Sequence, residues 1–185
     1  MRLDQLMHVV GAAASVTGER RFVVIGSQAI LGASPDAPTS LLVSMEVDMY
    51  PVARPELADE IDGALGDGSQ FHRAFGYYAH GVGPDTAKAP AGWQERLVSL
   101  EVHPRPGSSE PSVALCLEAH DLVLAKCAAG RDRDWEFALD ALRAGLVSSD
   151  ELFSRIDEMP LDRTRLDHVR AMVSGLVARA TSAKG

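Results

Sequence analysis

At 185 residues and 46% apolar content, the chain is long enough to bury one sizeable core. Its formal net charge of −8 argues against broad, charge-driven binding to nucleic acid, which needs a basic face. Cys116 and Cys127, with no CxxC pair and no histidine at zinc-finger spacing, indicate neither a disulfide framework nor a zinc site and read as buried, reduced thiols.

Taken in chain order, Leu3, Leu6, Met7 and Val10 recur at helical spacing, and Gly18 is placed to end that helix. Phe22-Val23-Val24-Ile25 reads as a buried strand, after which Gly26-Ser27 opens a helix from Gln28 to Leu31 closed by Gly32. A strand is expected over Leu41 to Tyr50, with Leu42, Ser44, Glu46, Asp48 and Tyr50 on one face and Leu41, Val43, Met45, Val47 and Met49 on the other. Pro55 to Leu65 reads as a crossover helix ended by Gly66, Gly68 and Ser69. Short strands are expected within the aromatic stretch Phe71 to Tyr78, and a loop over Gly81 to Gly92.

Strand character resumes over Trp93 to Val102, which projects Glu101 from one face; Pro104 to Pro111 reads as a loop and Val113-Ala114-Leu115 as a further short strand. The remainder is helical: Glu118 to Ala129 ended by Gly130, Asp132 to Ala144 ended by Gly145, a helix opened by the capping box Ser148 to Glu151, and Leu161 to Ala180. Thr181 to Gly185 is a polar tail expected to fray. The fold class is α/β: a mixed sheet flanked by helices over residues 1–115, with a helical segment over 116–185 packed on it as one compact unit. No apolar run approaches the roughly 18–20 residues of a membrane span, and no signal-like segment opens the chain, so a cytoplasmic protein with no membrane partner is expected.

Chemistry concentrates in two places. At the Gly26-Ser27 turn, free backbone N–H groups and the positive end of a helix dipole favour a phosphate, and the glycine allows close approach to the backbone. About twenty residues on, Glu46 and Asp48 lie two apart on a strand, about 7 Å between Cα atoms, so both carboxylates lean toward one point and repel unless a cation sits there. A hard cation such as Mg²⁺ takes one or two carboxylates and completes its shell with water and phosphate oxygens. Turn and acids together point to phosphoryl or nucleotidyl transfer, while the same spacing also suits a solvated strand face.

Glu101 is the candidate third carboxylate, as a metal ligand or a base, if its strand pairs beside Glu46-Val47-Asp48; otherwise it is an exposed strand glutamate. Lys126, leaving an apolar helix, is placed to act as a point charge on phosphate with Asp134 positioning it; the alternative is ordinary compensation of helix dipoles. Tyr77, Tyr78 and His80 are either a base-stacking rim or core. No G-x-S-x-G elbow and no GxxxxGK[ST] loop exists, which disfavours a serine hydrolase and a Walker NTPase.

With Gly26-Ser27, Glu46-x-Asp48, Lys126 and Arg131-x-Arg133-Asp134 in that order, the chain resembles the minimal nucleotidyltransferases of the AbiEii and MenT toxin type, of the polymerase beta-like fold, over roughly residues 20 to 140. The resemblance implies a nucleoside triphosphate as substrate and Mg²⁺ or Mn²⁺ as cofactor. Gly26, Ser27, Lys126 and Arg133 would hold the nucleotide, Glu46 and Asp48 the metal, and Asp134 would be a supporting acid. It further implies transfer of a nucleotide to an RNA, such as a tRNA 3′ end, or to a protein hydroxyl, by the toxin of a toxin–antitoxin pair with a cognate antitoxin. The chain departs from the motif at Glu46, one methylene longer than the usual Asp, which leaves Asp48 the principal ligand. A non-catalytic nucleotide-binding or protein-interaction module of the same fold is the alternative.

Overall fold

A computed structural model describes residues 1–103 and 110–182. The loop expected over 104–111 lies outside the described residues except for its last two positions. Of the tail expected from Thr181, only Thr181 and Ser182 are described, and both continue the last helix. The chain divides into two compact units, one of Met1–Thr86 with Leu97–Leu117 and one of Ala87–Arg96 with Glu118–Gly185.

The first unit is a mixed α/β structure. It contains helices α1 (Leu3–Thr17), α2 (Ile30–Ala33), α3 (Ala58–Leu65) and α4 (Gln70–Phe75), and strands β1 (Arg21–Val24), β2 (Glu46–Pro51), β3 (Tyr78–Gly81), β4 (Val98–Val102) and β5 (Ser112–Cys116). The described strands form one five-stranded sheet in the order β3-β2-β1-β5-β4. β1 runs antiparallel to β2 and parallel to β5, β2 parallel to β3, and β4 antiparallel to β5. The central strands carry apolar runs, as strands covered on both faces do: Phe22, Val23 and Val24 of β1 and Ala114, Leu115 and Cys116 of β5 are all buried, and only the first residue of each, Arg21 and Ser112, is polar. Leu6, Val9, Val10 and Ala13 line the buried face of α1, which Gly18 ends in the left-handed conformation at φ 71°.

Three expectations are corrected. The strand expected over Leu41 to Tyr50 is confined to Glu46–Pro51, and Thr39–Leu41 is a 3₁₀ turn. β2 pairs with its neighbours only from Glu46 onward, and the Ser44 hydroxyl takes the Glu46 N–H at 3.2 Å, a local bond that competes with extension of the ladder. Val43 and Met45 are accordingly exposed. The stretch Phe71 to Tyr78 is mainly helix rather than short strands: Ser69 caps α4 by accepting the His72 N–H, and Gly76 at φ 74° ends it. Its aromatic residues satisfy themselves by packing Phe71, Phe75 and Tyr77 around His8 of α1, which overrides their strand preference. Finally, Trp93 to Val102 splits, with Trp93–Arg96 a 3₁₀ turn of the second unit and only Val98–Val102 a strand.

The second unit holds helices α5 (Ala119–Ala129), α6 (Asp132–Arg143), α7 (Ser149–Arg155) and α8 (Arg163–Ser182). The expected caps are present: Gly130 ends α5 at φ 71°, and Ser148 accepts the Glu151 N–H at the start of α7. Segment 87–96 joins this unit, not the sheet, for an electrostatic reason. Asp121 is fully buried, and its carboxylate accepts from Arg96 Nε at 2.8 Å and from Arg155 Nη1 at 2.8 Å. Ala91 N–H adds a 2.9 Å bond to Glu158 O. A buried carboxylate is tolerable only when paired in this way. Among the described residues no helix is long and apolar enough to cross a membrane.

Two measurements check this packing. A Cβ on Gly32 would lie 2.5 Å from Cys116 Cβ and 2.9 Å from Sγ, so Gly32→Ala is expected to lose about 1–3 kcal/mol in urea unfolding by forcing α2 off β5. In the second unit, burial opposes ionisation of Glu118, but hydrogen bonds and charge from His120 and Arg155 outweigh it and hold its carboxyl down to about 2, below the ordinary 4.5. A depressed folded-state value stabilises above the unfolded value, so stability present at neutral pH should be lost progressively as pH falls from about 4.5 toward 2. Urea unfolding across that range should show a flatter pH dependence in Glu118→Gln.

Candidate metal and phosphate site

The parallel pairing of β2 with β3 places Glu46 opposite Tyr78 and Asp48 opposite His80. Alternation sends Val47 and Met49 into the core and leaves the two acids on the other face, beside Tyr78 and His80. β3 is held close to the helices by Gly81, where a Cβ would lie 1.8 Å from Ala58 O of α3. Tyr78 Oη donates to Glu46 Oε2 at 2.8 Å. His80 Nδ1 lies 3.0 Å from Asp48 Oδ1 and 3.7 Å from Glu46 Oε1. One ligand atom from each of Glu46, Asp48 and His80 falls within 4.8 Å of the others.

The electrostatics follow from this crowding. Burial, then the neighbouring Glu46 charge, raises the Asp48 carboxyl above the ordinary carboxylate value. Burial alone would lower His80, but its bond to Asp48 and the charges of Asp48 and Glu46 prevail and raise it. The bond to Glu46 pushes the Tyr78 hydroxyl up to about 12, so it stays a donor. Two carboxylates and an imidazole converging from neighbouring strands form a donor set for a divalent cation.

Gly26, two residues past the end of β1, ties the turn to the acids. Its backbone is ordinary extended chain at φ −80°, so no left-handed conformation demands glycine. Space does: a Cβ there would lie 2.0 Å from Asp48 Oδ2 and 2.9 Å from Cγ. The turn and the carboxylate are thus in direct contact, clamped by the Ile25 N–H bond to Asp48 O at 3.1 Å. Gln28, fully buried, donates Nε2 to Ser44 O at 2.8 Å, and its Oε1 has no hydrogen-bond partner among the described residues.

The helix expected to open at Gly26-Ser27 is short. Ser27–Ala29 is a 3₁₀ turn followed by the four-residue α2, with Gly32 inside that helix rather than closing it. A dipole of that length is slight, so the turn's capacity for phosphate rests on backbone N–H groups and close approach.

Glu101 is not at this site. The strand it projects from, β4, pairs with β5 at the edge of the sheet, three strand spacings or roughly 14 Å from β2, and Glu101 is exposed there. The places beside β2 belong to β1 and β3, so the third potential ligand is His80.

Lys126, Arg131, Arg133 and Asp134 lie in the helical unit. Asp134 is fully buried and accepts from Lys126 Nζ at 3.0 Å and from Arg131 Nε at 2.7 Å. Burial would raise its carboxyl, but the Arg131 bond and the Lys126 charge outweigh this and hold it below the usual value. Lys126 also sits 4.7 Å from the centre of the Phe137 ring. Arg133 is exposed on α6.

Of the aromatic rim, Tyr77 is buried with its hydroxyl against His8 Nδ1, while Tyr78 and His80 face the acids. The sequence signal for that partnership is a Tyr-x-His at the same two-residue spacing as Glu-x-Asp, which acquires meaning only through the strand register. No family model matches the chain, and neither a curated protein nor a solved structure is similar enough to match it.

Gly26→Ala is expected to displace the Asp48 carboxylate. Calorimetric titration with a divalent cation should show at least a tenfold loss of affinity, comparable to loss of a group that orients a ligand, with the far-UV circular dichroism unchanged.

Proposed function

We propose that the chain is a cation-dependent nucleotidyltransferase that moves a nucleoside monophosphate from a triphosphate to a hydroxyl of an RNA or protein acceptor in the cytoplasm. The observation that carries this reading is the contact between the Gly26 backbone and the Asp48 carboxylate, which sets a phosphate-accepting turn against cation ligands. Such adjacency would suit a triphosphate with a bound cation: Asp48 and Glu46 would hold the ion, which would supply charge neutralisation beside the turn.

In this reading Asp48, Glu46 and His80 hold Mg²⁺ or Mn²⁺, and Tyr78 fixes the rotamer of Glu46 through its 2.8 Å bond. The cation, when bound, neutralises charge on the triphosphate. Gly26 and Ser27 offer backbone N–H groups to phosphate oxygens. The acceptor hydroxyl attacks the α-phosphorus in line as pyrophosphate leaves, and the protein contributes positioning and charge neutralisation more than covalent chemistry. Within the helical unit, Lys126 is committed to the buried Asp134 at 3.0 Å, so the phosphate role that the resemblance implies for it is not assigned.

The order of these motifs supports the resemblance to AbiEii and MenT toxins, and with it a role as the toxin of a toxin–antitoxin pair. One observation favours the alternative of a non-catalytic binding module: His80 Nδ1 lies 3.0 Å from Asp48 Oδ1 and, when protonated, offsets its charge, so the acids can coexist without an ion.

The deciding experiment incubates the purified protein with labelled nucleoside triphosphates, Mg²⁺ or Mn²⁺, and pooled RNA or protein. Labelled product is expected, and Asp48→Ala should lower its rate on the order of 10²–10³-fold while the variant remains folded by circular dichroism. No product from the parent, or equal labelling by Asp48→Ala, overturns the reading. Nucleotide-dependent thermal stabilisation without product would favour the binding module.

A further inference from the structure

We infer that the cation site selects a first-row transition ion, Mn²⁺, over Mg²⁺, because the imidazole of His80 completes the ligand set that Glu46 and Asp48 begin. The inference rests on the cation-dependent reading above and names the ion and the residue that chooses it.

The geometry is that of a ligand set. Two ligands on one ion are separated by at most twice the bond length, or about 4.0–4.4 Å for bonds of 2.0–2.2 Å. The ligand atoms of Glu46, Asp48 and His80 already lie within 4.8 Å of one another, so rotamer adjustments of a few tenths of an ångström close the shell. Nδ1 is the nitrogen that faces both acids, at 3.0 and 3.7 Å. The two carboxylates are held independently of His80: Asp48 by the space at Gly26, and Glu46 by Tyr78. His80 therefore adds a donor to a set that already stands.

Donor chemistry then decides the ion. Mg²⁺ demands oxygen ligands in a strict octahedron and sheds water reluctantly, whereas first-row transition ions take imidazole nitrogen more readily, and Mn²⁺, at the low end of that series, is the one that also keeps the carboxylate and water preference of Mg²⁺. The site is also partly open, with side-chain exposures of 36% for Glu46, 26% for Asp48 and 50% for His80. That openness leaves positions for water or phosphate oxygens and does not suit the closed tetrahedral shell of a structural zinc ion.

The test is binding without nucleotide. Chelator-treated protein is titrated with MnCl₂ by electron paramagnetic resonance and with MgCl₂ by calorimetry, and nitrogen coupling to bound Mn²⁺ is read from electron spin echo modulation. Mn²⁺ should bind at least tenfold more tightly than Mg²⁺, with ¹⁴N modulation present. His80→Ala should abolish the modulation and weaken Mn²⁺ about 10- to 100-fold, leaving Mg²⁺ within threefold. Equal affinities in the parent, or no ¹⁴N modulation, overturns the inference without recourse to any variant. A selectivity ratio unchanged in His80→Ala does the same. Labelling of an acceptor equally well with Mg²⁺, with no nitrogen coupling, would sink this inference and leave nucleotidyl transfer standing; nitrogen-coupled Mn²⁺ with no labelling would do the reverse.

Discussion

The backbone at residue 26 lies so close to the Asp48 carboxylate that no side chain fits between them, and the acidic face of the sheet is organised around that contact. β1 and β2 run antiparallel, so the end of β1 and its turn arrive beside the start of β2, where the acids sit. The cost is a carboxylate partly removed from water beside a second one, which by itself is unfavourable. β3 relieves it by presenting a phenol to one acid and an imidazole to the other. A turn, two acids, a phenol that donates a hydrogen bond and an imidazole therefore form one physical unit, assembled from three strands that are distant in the chain.

The two units treat buried charge differently. In the helical unit each buried carboxylate is met by two cations: Asp121 by Arg96 and Arg155, Asp134 by Lys126 and Arg131. Arginine's fixed fork suits such permanent pairing, and breaking it would strand a charge away from water. On the sheet, Glu46 and Asp48 face the half-exposed ring of His80, a group whose charge is conditional and whose nitrogen is equally able to bind a metal. Permanent pairing is how a fold protects itself. Conditional pairing beside an open face is how a fold keeps ligand capacity available, which is why the chemistry is assigned to the sheet acids.

Legibility in the sequence followed the range of the interactions. Gly18, Gly130 and Ser148 marked helix ends correctly because a cap is decided within a few residues. The Gly26-Ser27 turn and the alternation through Glu46 and Asp48 were visible for the same reason. Lys126 and Asp134, eight residues apart across one helix junction, were also within reach of local reasoning. Glu101 was misplaced because its chemistry depended on sheet order, and β4 pairs with β5 rather than beside β2. His80 was passed over as a ligand because its relation to Asp48 exists only through a strand pairing 32 residues apart. The helix over Gln70–Phe75 was hidden by aromatic residues whose strand preference yields to their packing around His8.

The division of the chain has a consequence for how it is made. Because 87–96 belongs with the helices and 97–117 with the sheet, the polypeptide passes between the two units three times, after Thr86, Arg96 and Leu117. β5 lies between β1 and β4, so the strand that joins β4 to the rest of the sheet is the last of the described strands to leave the ribosome, and β1 must wait with an apolar edge unpaired until it does. Arg96, in turn, is synthesised before its buried partner Asp121. The sheet unit is complete in the chain once Leu117 is made, whereas the helical unit, which takes in Ala87–Arg96, waits for the residues from Glu118 onward.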